Sequence, residues 1–162
     1  MPLPMNPTRF TVSTLNSKVL LVDDSKFLRM ANEHALTKAG FQVVTAADGE
    51  EALQVANDQL PDIILLDMML PKISGPDVLK ALKSNPATMH IPVIVLTSLS
   101  QRNEEKLLND GAEAYFEKSR LGLDQSSDRL AATVETVLVR IQHKRSLDLR
   151  LHELAAKKAT GE

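Results

Sequence analysis

The stretch that decides the fold is Ile63-Ile64-Leu65-Leu66-Asp67, four apolar residues followed by an aspartate. A continuous apolar run of this kind predicts a strand that is covered on both faces, as in a parallel sheet. A carboxylate at the end of such a strand is costly to bury unless a metal ion, a cation or a reaction uses it. Asp67 is therefore the first candidate for a functional residue.

Three other strand-like runs lead into polar or charged residues: Val19–Val22 into Asp23-Asp24, Val93–Leu96 into Thr97-Ser98, and Ala114–Glu117 into Lys118. In an open parallel sheet, the carboxyl ends of the strands lie at one edge, and ligands bind there. Three acids, a hydroxyl group and a lysine at that edge predict a site for a phosphoryl group and a metal ion.

Helical segments lie between these runs. Residues that typically cap the start of a helix occur in three places: Ser25, Asp48 and Ser74. A polar helix is expected over Ser100–Asp110, and Phe41–Thr45 supplies a further strand. Five strands that alternate with helices predict an α/β fold, a doubly wound five-stranded parallel sheet with helices on both faces.

Composition limits the class of protein. The chain has 162 residues, of which 43% are apolar, enough to bury the core of one domain. Lys+Arg 19 against Asp+Glu 21 gives a net charge of −2, so there is no basic excess to attract nucleic acid. No cysteine is present for a disulfide or a thiolate metal site, and no apolar stretch approaches the roughly 20 residues of a membrane span. Because its start has prolines but no apolar core, we expect a cytoplasmic protein without a signal peptide.

We expect a flexible leader over residues 1–17, a main domain over 18–143 and a helical extension or tail over 144–162. One helical face near the end of the domain carries five apolar residues: Leu130, Val134, Val137, Leu138 and Ile141. A second set lies on another face of the helix: Leu147, Leu151 and Leu154. The helix therefore either continues past the domain body or bends into a second helix. A solvated end and a contact with a second copy or another partner both fit these leucines.

From about Lys18 to Ile141, the motifs resemble the receiver domain of two-component response regulators. The matching residues are Asp23-Asp24, Asp67 within Leu65–Pro71, Gly75, Thr97-Ser98 and Tyr115–Lys118. The resemblance implies a flavodoxin-like (βα)5 receiver fold with an extended C-terminal helix. It also implies a stand-alone, chemotaxis-type regulator in a phosphorelay, because the stretch after Ile141 is too short for an output domain.

By this resemblance, Asp67 accepts a phosphoryl group from a sensor histidine kinase or a phosphotransfer protein. The implied cofactor is Mg²⁺, held directly by Asp24 and Asp67, through water by Asp23, and by the backbone carbonyl of Met69. All-oxygen ligation suits Mg²⁺, and a carboxylate can act as a nucleophile toward phosphorus. The resemblance thus implies a phosphoprotein switch and no enzyme, apart from self-catalysed phosphoryl transfer and autodephosphorylation.

Three further residues receive roles from the resemblance. Lys118 supplies positive charge to the phosphoryl oxygens, and Thr97 donates its hydroxyl to them. Tyr115, the single tyrosine of the chain, is the switch residue that turns inward when Thr97 moves. A phosphoryl group can bias a two-state loop in this way and so alter a surface for a downstream protein. A homodimer through the last helix is a further expected contact.

Two features depart from the usual pattern of the family. Ser119 follows Lys118, where the family usually has a proline. Apolar Met69 and Leu99 lie two residues beyond the acceptor aspartate and the threonine, at positions that in this family tune the access of water. These apolar side chains predict a long-lived phosphoryl group.

Three alternatives retain parts of this site. A hydrolase with a nucleophilic aspartate, as in haloacid-dehalogenase-like phosphatases, would place a second acid where this chain has Met69. A phosphorylation-independent interaction module of the same fold would typically lack part of the acid set, which is complete here. A receiver fragment of a longer multidomain regulator is the third alternative.

Overall fold

A computed structural model describes residues 16–98, 104–117 and 126–161 of the chain. The strands are β1 Lys18–Val22, β2 Gln42–Ala46, β3 Ile63–Asp67, β4 Val93–Thr97 and β5 Ala114–Glu117. The helices are α1 Lys26–Lys38, α2 Gly49–Gln59, α3 Gly75–Ser84, α4 Glu104–Asn109 and α5 Ser126–Ala159. The five strands form one parallel sheet in the order β2-β1-β3-β4-β5. The predicted doubly wound α/β fold is confirmed.

The core consists of two apolar layers, one on each face of the sheet. Successive residues of a strand point to opposite faces, so β3 sends Ile64 and Leu66 to one layer and Ile63 and Leu65 to the other. The first layer is covered by α2, α3 and α4, and the second by α1 and α5. This double cover explains why the strands are apolar throughout.

The three predicted capping residues, Ser25, Asp48 and Ser74, lie at the starts of α1, α2 and α3. The Oγ of Ser25 accepts a hydrogen bond from the Leu28 amide at 3.3 Å, and the Oγ of Ser74 accepts one from the Asp77 amide at 3.3 Å. The carboxylate of Asp48 accepts one from the Glu51 amide at 2.8 Å. Each cap satisfies one amide that the helix itself leaves unpaired. Three residues or fewer separate β1 from α1 and β2 from α2, whereas seven separate β3 from α3.

Some boundaries differ from the sequence prediction. The strand expected over Phe41–Thr45 lies one residue later, because Phe41 is buried in the core while its amide bonds to the Leu36 carbonyl after α1. The polar helix expected over Ser100–Asp110 is described only as α4, and residues 99–103 lie outside the described part of the chain.

The last helix continues past the domain body without a bend. Helix α5 has 34 residues and is about 50 Å long at about 1.5 Å per residue. Its first half is buried against the sheet through the predicted apolar face, from Leu130 to Leu138, with Ile141 at the margin. Beyond that point Leu151 is 64% exposed, and Leu147 and Leu154 are exposed too. Of the two arrangements that the sequence left open, the structure has the continuous helix.

Candidate functional site

Three carboxylates meet at the carboxyl edge of the sheet. The register of β1 and β3 pairs Val22 with Leu66, so the residues that follow, Asp23 and Asp67, lie side by side. Together with Asp24 they offer three ligand oxygens within 4.8 Å of one another. Asp23 and Asp67 are buried, whereas Asp24 is exposed. The cluster thus has a closed floor and one side that is open to solvent.

Backbone amides fix the two buried acids. The Ser25 amide donates to Oδ1 of Asp23 at 2.9 Å, and the Met69 amide donates to Oδ1 of Asp67 at 3.0 Å. Each bond spans two residues and closes a tight turn that restricts the side-chain torsions of the aspartate. Both carboxylates are therefore held in place before any ligand arrives.

The loop after β3 approaches that strand very closely at Gly75. The Gly75 amide donates to the Met68 carbonyl at 3.2 Å, and a Cβ at position 75 would lie 2.5 Å from the Asp67 carbonyl oxygen. Only glycine leaves room for this approach. The turn back to Gly75 orients the backbone of Met69, whose carbonyl is a predicted ligand and whose side chain is 66% exposed.

A second contact braces the same loop against α2. Lys72, whose φ of 67° lies in the left-handed region, places its Nζ 3.2 Å from Asp48 and 3.8 Å from Glu50. Hydrogen bonding to Asp48 and its negative charge raise the pKa of Lys72. The bond from the Glu51 amide, aided by Lys72, lowers the pKa of Asp48. The loop is thus tied to the cap of α2.

The predicted hydroxyl and switch residues lie on the strands next to the acids. Register places Leu96 opposite Asp67, so Thr97, buried at the end of β4, comes one residue beyond the level of Asp67. Tyr115 on β5 pairs with Val95 and packs, half-buried, against the layer that contains it. Since side chains alternate along a strand, Thr97 and Tyr115 share a face of the sheet.

Lys118, Ser119 and Leu99 lie outside the described residues. Lys118 directly follows Glu117, which ends β5 beside Thr97. The roles given to these three residues therefore stay predictions.

Sequence reasoning missed one basic residue at the edge. Arg29, in the first turns of α1, donates from Nη1 to the backbone carbonyl of Asp23 at 2.8 Å. A helical side chain leans toward the N-terminus of its helix, so an arginine four residues after the cap Ser25 was a usable signal. The bond from Lys72 to Asp48 offered no such signal, because 24 positions of chain separate the two residues.

The donor set fits a small, hard divalent cation. Carboxylate oxygens in close proximity repel one another, and an oxygen-only site with an open side suits an ion that retains water ligands. A fixed carboxylate at the centre of such a site can also attack phosphorus. The arrangement can therefore support metal-assisted phosphoryl transfer.

The comparisons with known proteins agree with this chemistry. Residues 19–130 match the family model "Response regulator receiver domain". The gliding motility regulatory protein of Myxococcus xanthus is 46% identical over 118 residues, 70% of this chain but 15% of that protein. The polar-differentiation response regulator DivK of Brucella ovis is 33% identical over 105 residues, 64% of this chain and 85% of that protein.

A solved structure shows the same architecture. The chemotaxis response regulator CheY4 of Vibrio cholerae superposes with a TM-score of 0.67 at 32% identity, covering 75% of this chain and 98% of that one. Within the described residues, no helix combines the length and the apolar character needed to cross a membrane.

Proposed function

Because the chain belongs to the response regulator receiver family, whose standard function is phosphoryl acceptance, we propose that Asp67 is the residue that accepts the phosphoryl group. The observation that carries the assignment is the cluster of Asp23, Asp24 and Asp67 within 4.8 Å. Of the three, Asp67 alone lies within a central strand, where both the Met69 amide and the return of Gly75 fix its position.

The covalent step is a displacement at phosphorus. A carboxylate oxygen of Asp67 forms a bond to phosphorus while the bond from phosphorus to the donor nitrogen breaks, and the departing imidazole takes up a proton. Such transfers need alignment and charge neutralisation more than further covalent chemistry. We propose a sensor histidine kinase or a phosphotransfer protein as the donor. Receivers are phospho-accepting switches and not classical enzymes; autodephosphorylation of this chain is part of the proposal.

We propose that Mg²⁺ is the cofactor, held by Asp24, Asp67, Asp23 through water, and the Met69 carbonyl. The ion supplies positive charge that offsets the acids and the phosphoryl oxygens. The protein contributes a preorganised site, since two of the three carboxylates are fixed by backbone amides. The exposure of Asp24 leaves the open side through which a hydrated ion would enter.

Thr97 and Tyr115 form the proposed switch. Thr97 would donate its hydroxyl to the phosphoryl group, and the space that it leaves on the shared face would admit the ring of Tyr115. Lys118 is proposed to supply a further positive charge. The exposed Met69 side chain, beside the acceptor, supports the prediction of a long-lived phosphoryl group; loss of the group within seconds from purified protein would contradict it.

Two surfaces support proposals about partners. Phe27 and Met30 are exposed on α1, beside the acid cluster, and suit contact with the phosphoryl donor. The exposed set Leu147, Leu151 and Leu154 repeats at intervals of four and three residues, the spacing of a two-helix seam. We propose that a second copy covers it. On this view residues 18–143 form the receiver and 144–162 the contact helix, after a leader over 1–17.

The wider role is proposed from the relatives. The chain spans 15% of the Myxococcus xanthus protein and 85% of DivK, so a single-domain regulator and a receiver within a longer regulator are both represented. We propose a single-domain switch in the cytoplasm, as expected of an acceptor that is served by an ATP-dependent kinase, with a downstream protein as its target.

The decisive experiment is intact-protein mass spectrometry after incubation with acetyl phosphate, with and without Mg²⁺. We expect one phosphoryl adduct that requires Mg²⁺ and is absent from Asp67→Asn. Asp62→Asn is the matched control, because Asp62 lies at the opposite end of the same strand and accepts a bond from the Lys18 amide. An adduct on Asp67→Asn would overturn the assignment. Absence of the phosphoryl adduct from wild-type protein that is folded and binds Mg²⁺ would favour a phosphorylation-independent module.

A further inference from the structure

Arg29 contacts the site through the backbone and not through the acids. Its Nη1 donates to the Asp23 carbonyl at 2.8 Å, in a partly buried position on α1. Within the part of the chain that the structure describes, Arg29 forms no ion pair with a carboxylate of the cluster. Its charge therefore lies beside the three acids without occupying any of their oxygens.

The contacted carbonyl belongs to the peptide that joins Asp23 to Asp24. The amide of Asp23 donates to the Ala46 carbonyl at 3.1 Å, and its side chain accepts from the Ser25 amide at 2.9 Å. With Arg29 on the carbonyl, the backbone donor, the backbone acceptor and Oδ1 of Asp23 each have a defined partner. Of these three bonds, the one from Arg29 is the one that holds the Asp23–Asp24 peptide itself.

Asp24 depends on this peptide more than the other two acids do. It is exposed, and its carboxylate has no hydrogen-bond or ion-pair partner among the described residues. The orientation of its carboxylate toward Asp67 is set by the direction in which the backbone continues from the Asp23 carbonyl. A planar guanidinium on a helix is a rigid donor for that purpose.

We propose that Arg29 is a positioning residue that sets the orientation of Asp24 and thereby the affinity of the acid cluster for a divalent cation. The proposal rests on the proposed Mg²⁺ site. Partners of this outer kind typically alter metal affinity about 10–100-fold when they are removed. Because Arg29 acts on one ligand of several, we expect the lower end of that range.

A simple electrostatic effect of the Arg29 charge predicts the opposite change in cation affinity. Removing a positive charge from beside a cation site should tighten cation binding, whereas loss of the positioning contact should weaken it. The direction of the change in affinity thus separates positioning from a charge effect, and an unchanged affinity would indicate a purely structural role.

The test is isothermal titration calorimetry of Mg²⁺ into the full chain without a phosphoryl donor. We expect Arg29→Met to raise the Kd about tenfold and Arg29→Lys, which retains a donor and the charge, to raise it less. Lys26→Met is the matched control: it removes an exposed charge from the same first turn, where no described hydrogen bond is lost, and should not weaken binding.

The outcomes are distinguishable. An unchanged or lower Kd in Arg29→Met, with wild type binding normally, would overturn the role of Arg29 and leave the proposed function intact. Absence of Mg²⁺ binding by wild type would overturn the metal site and this inference with it. Circular dichroism in Mg²⁺-free buffer establishes that each variant is folded; if Arg29→Met is not, the comparison of Arg29→Lys with wild type decides, and equal affinities overturn the proposal.

Discussion

The carboxyl edge of the sheet and the outer half of α5 are stabilised in different ways. At the edge, backbone amides hold Asp23 and Asp67, and Gly75 brings the next loop against the strand. Along α5, the last described hydrogen bond to the body is the 3.5 Å bond from Arg145 to the His90 carbonyl. The edge is thus preorganised by short-range turn bonds on buried strands, whereas the outer helix depends on its own backbone bonds.

This difference has a functional consequence. Phosphoryl transfer requires atoms to be in place before the reaction, and buried strands with short loops provide that. A helix without tertiary packing is only marginally stable in water. Burial of its exposed leucines by a partner would therefore stabilise it. We therefore expect changes at the edge to alter chemistry and stability together, and changes on the outer helix to alter association alone.

The largest expected contrast lies within one helix. Leu130 is fully buried and Leu151 is 64% exposed, although both belong to α5. Leu130→Ala should lower the free energy of unfolding by about 2–5 kcal/mol, because it empties a packed site. Leu151→Ala should change it by less than about 0.5 kcal/mol in dilute monomer. Urea denaturation monitored by circular dichroism measures both.

The dependence of the unfolding midpoint on protein concentration tests the role of Leu151 further. If a second copy covers the seam, the unfolding midpoint of wild type rises with protein concentration, and Leu151→Ala removes that rise. Sedimentation velocity should show the corresponding loss of dimer. A monomer at all concentrations would contradict the proposed pairing.

The sequence predicted most of the edge because its signals are local. Apolar runs give the strands, the residue after each run gives the acids, and Ser25, Asp48 and Ser74 give the helix starts. The buried side of α1, however, is not simply its apolar residues. Asn32 is buried there, while Phe27 and Met30 are exposed.

Contacts between segments that are far apart in the chain could not be predicted from the sequence. The salt bridge between Lys72 and Asp48 connects the loop after β3 to the start of α2, and its geometry depends on the folded sheet. The end of the first apolar face at Ile141 fitted both a straight and a bent helix, because only packing or its absence decides between them. The acid cluster was predictable since strand order brings the ends of β1 and β3 together.

Gly75 provides the second contrast. An alanine there would push its Cβ against the backbone of Asp67 and Met68, so Gly75→Ala should cost about 1–3 kcal/mol of stability, as overpacking does. It should also slow phosphorylation by acetyl phosphate, because the acceptor loop must move. Gly161→Ala is the control just beyond α5, where nothing lies within 4 Å of the added Cβ. The strain of an alanine at its φ of 72° falls on the end of the outer helix, so neither the stability of the domain nor the rate of phosphorylation should change. Equal effects of the two changes would contradict the difference between the regions.

The smallest expected effect concerns charge. The bond from the Glu51 amide, together with Lys72, holds the pKa of Asp48 below its ordinary value. A carboxyl whose pKa is lower in the folded state adds stability above its unfolded pKa of about 3.9, and that stability is lost as pH falls through the folded value. Asparagine caps a helix about as well as aspartate, so Asp48→Asn removes the charge and retains the cap.

We therefore expect Asp48→Asn to lower the urea midpoint near pH 7. The difference from wild type should shrink as pH falls below about 3.9 and vanish below the lowered pKa of folded Asp48. Asp148→Asn is the matched change on α5. Asp148 is exposed and has no hydrogen-bond or ion-pair partner among the described residues, so this variant should keep the wild-type urea midpoint near pH 7. A difference between Asp48→Asn and wild type that persists in acid would show that the cap, and not the charge, is what Asp48 contributes. A lower urea midpoint of Asp148→Asn near pH 7 would instead reveal an electrostatic partner of the outer helix, and charge would then stabilise both regions alike.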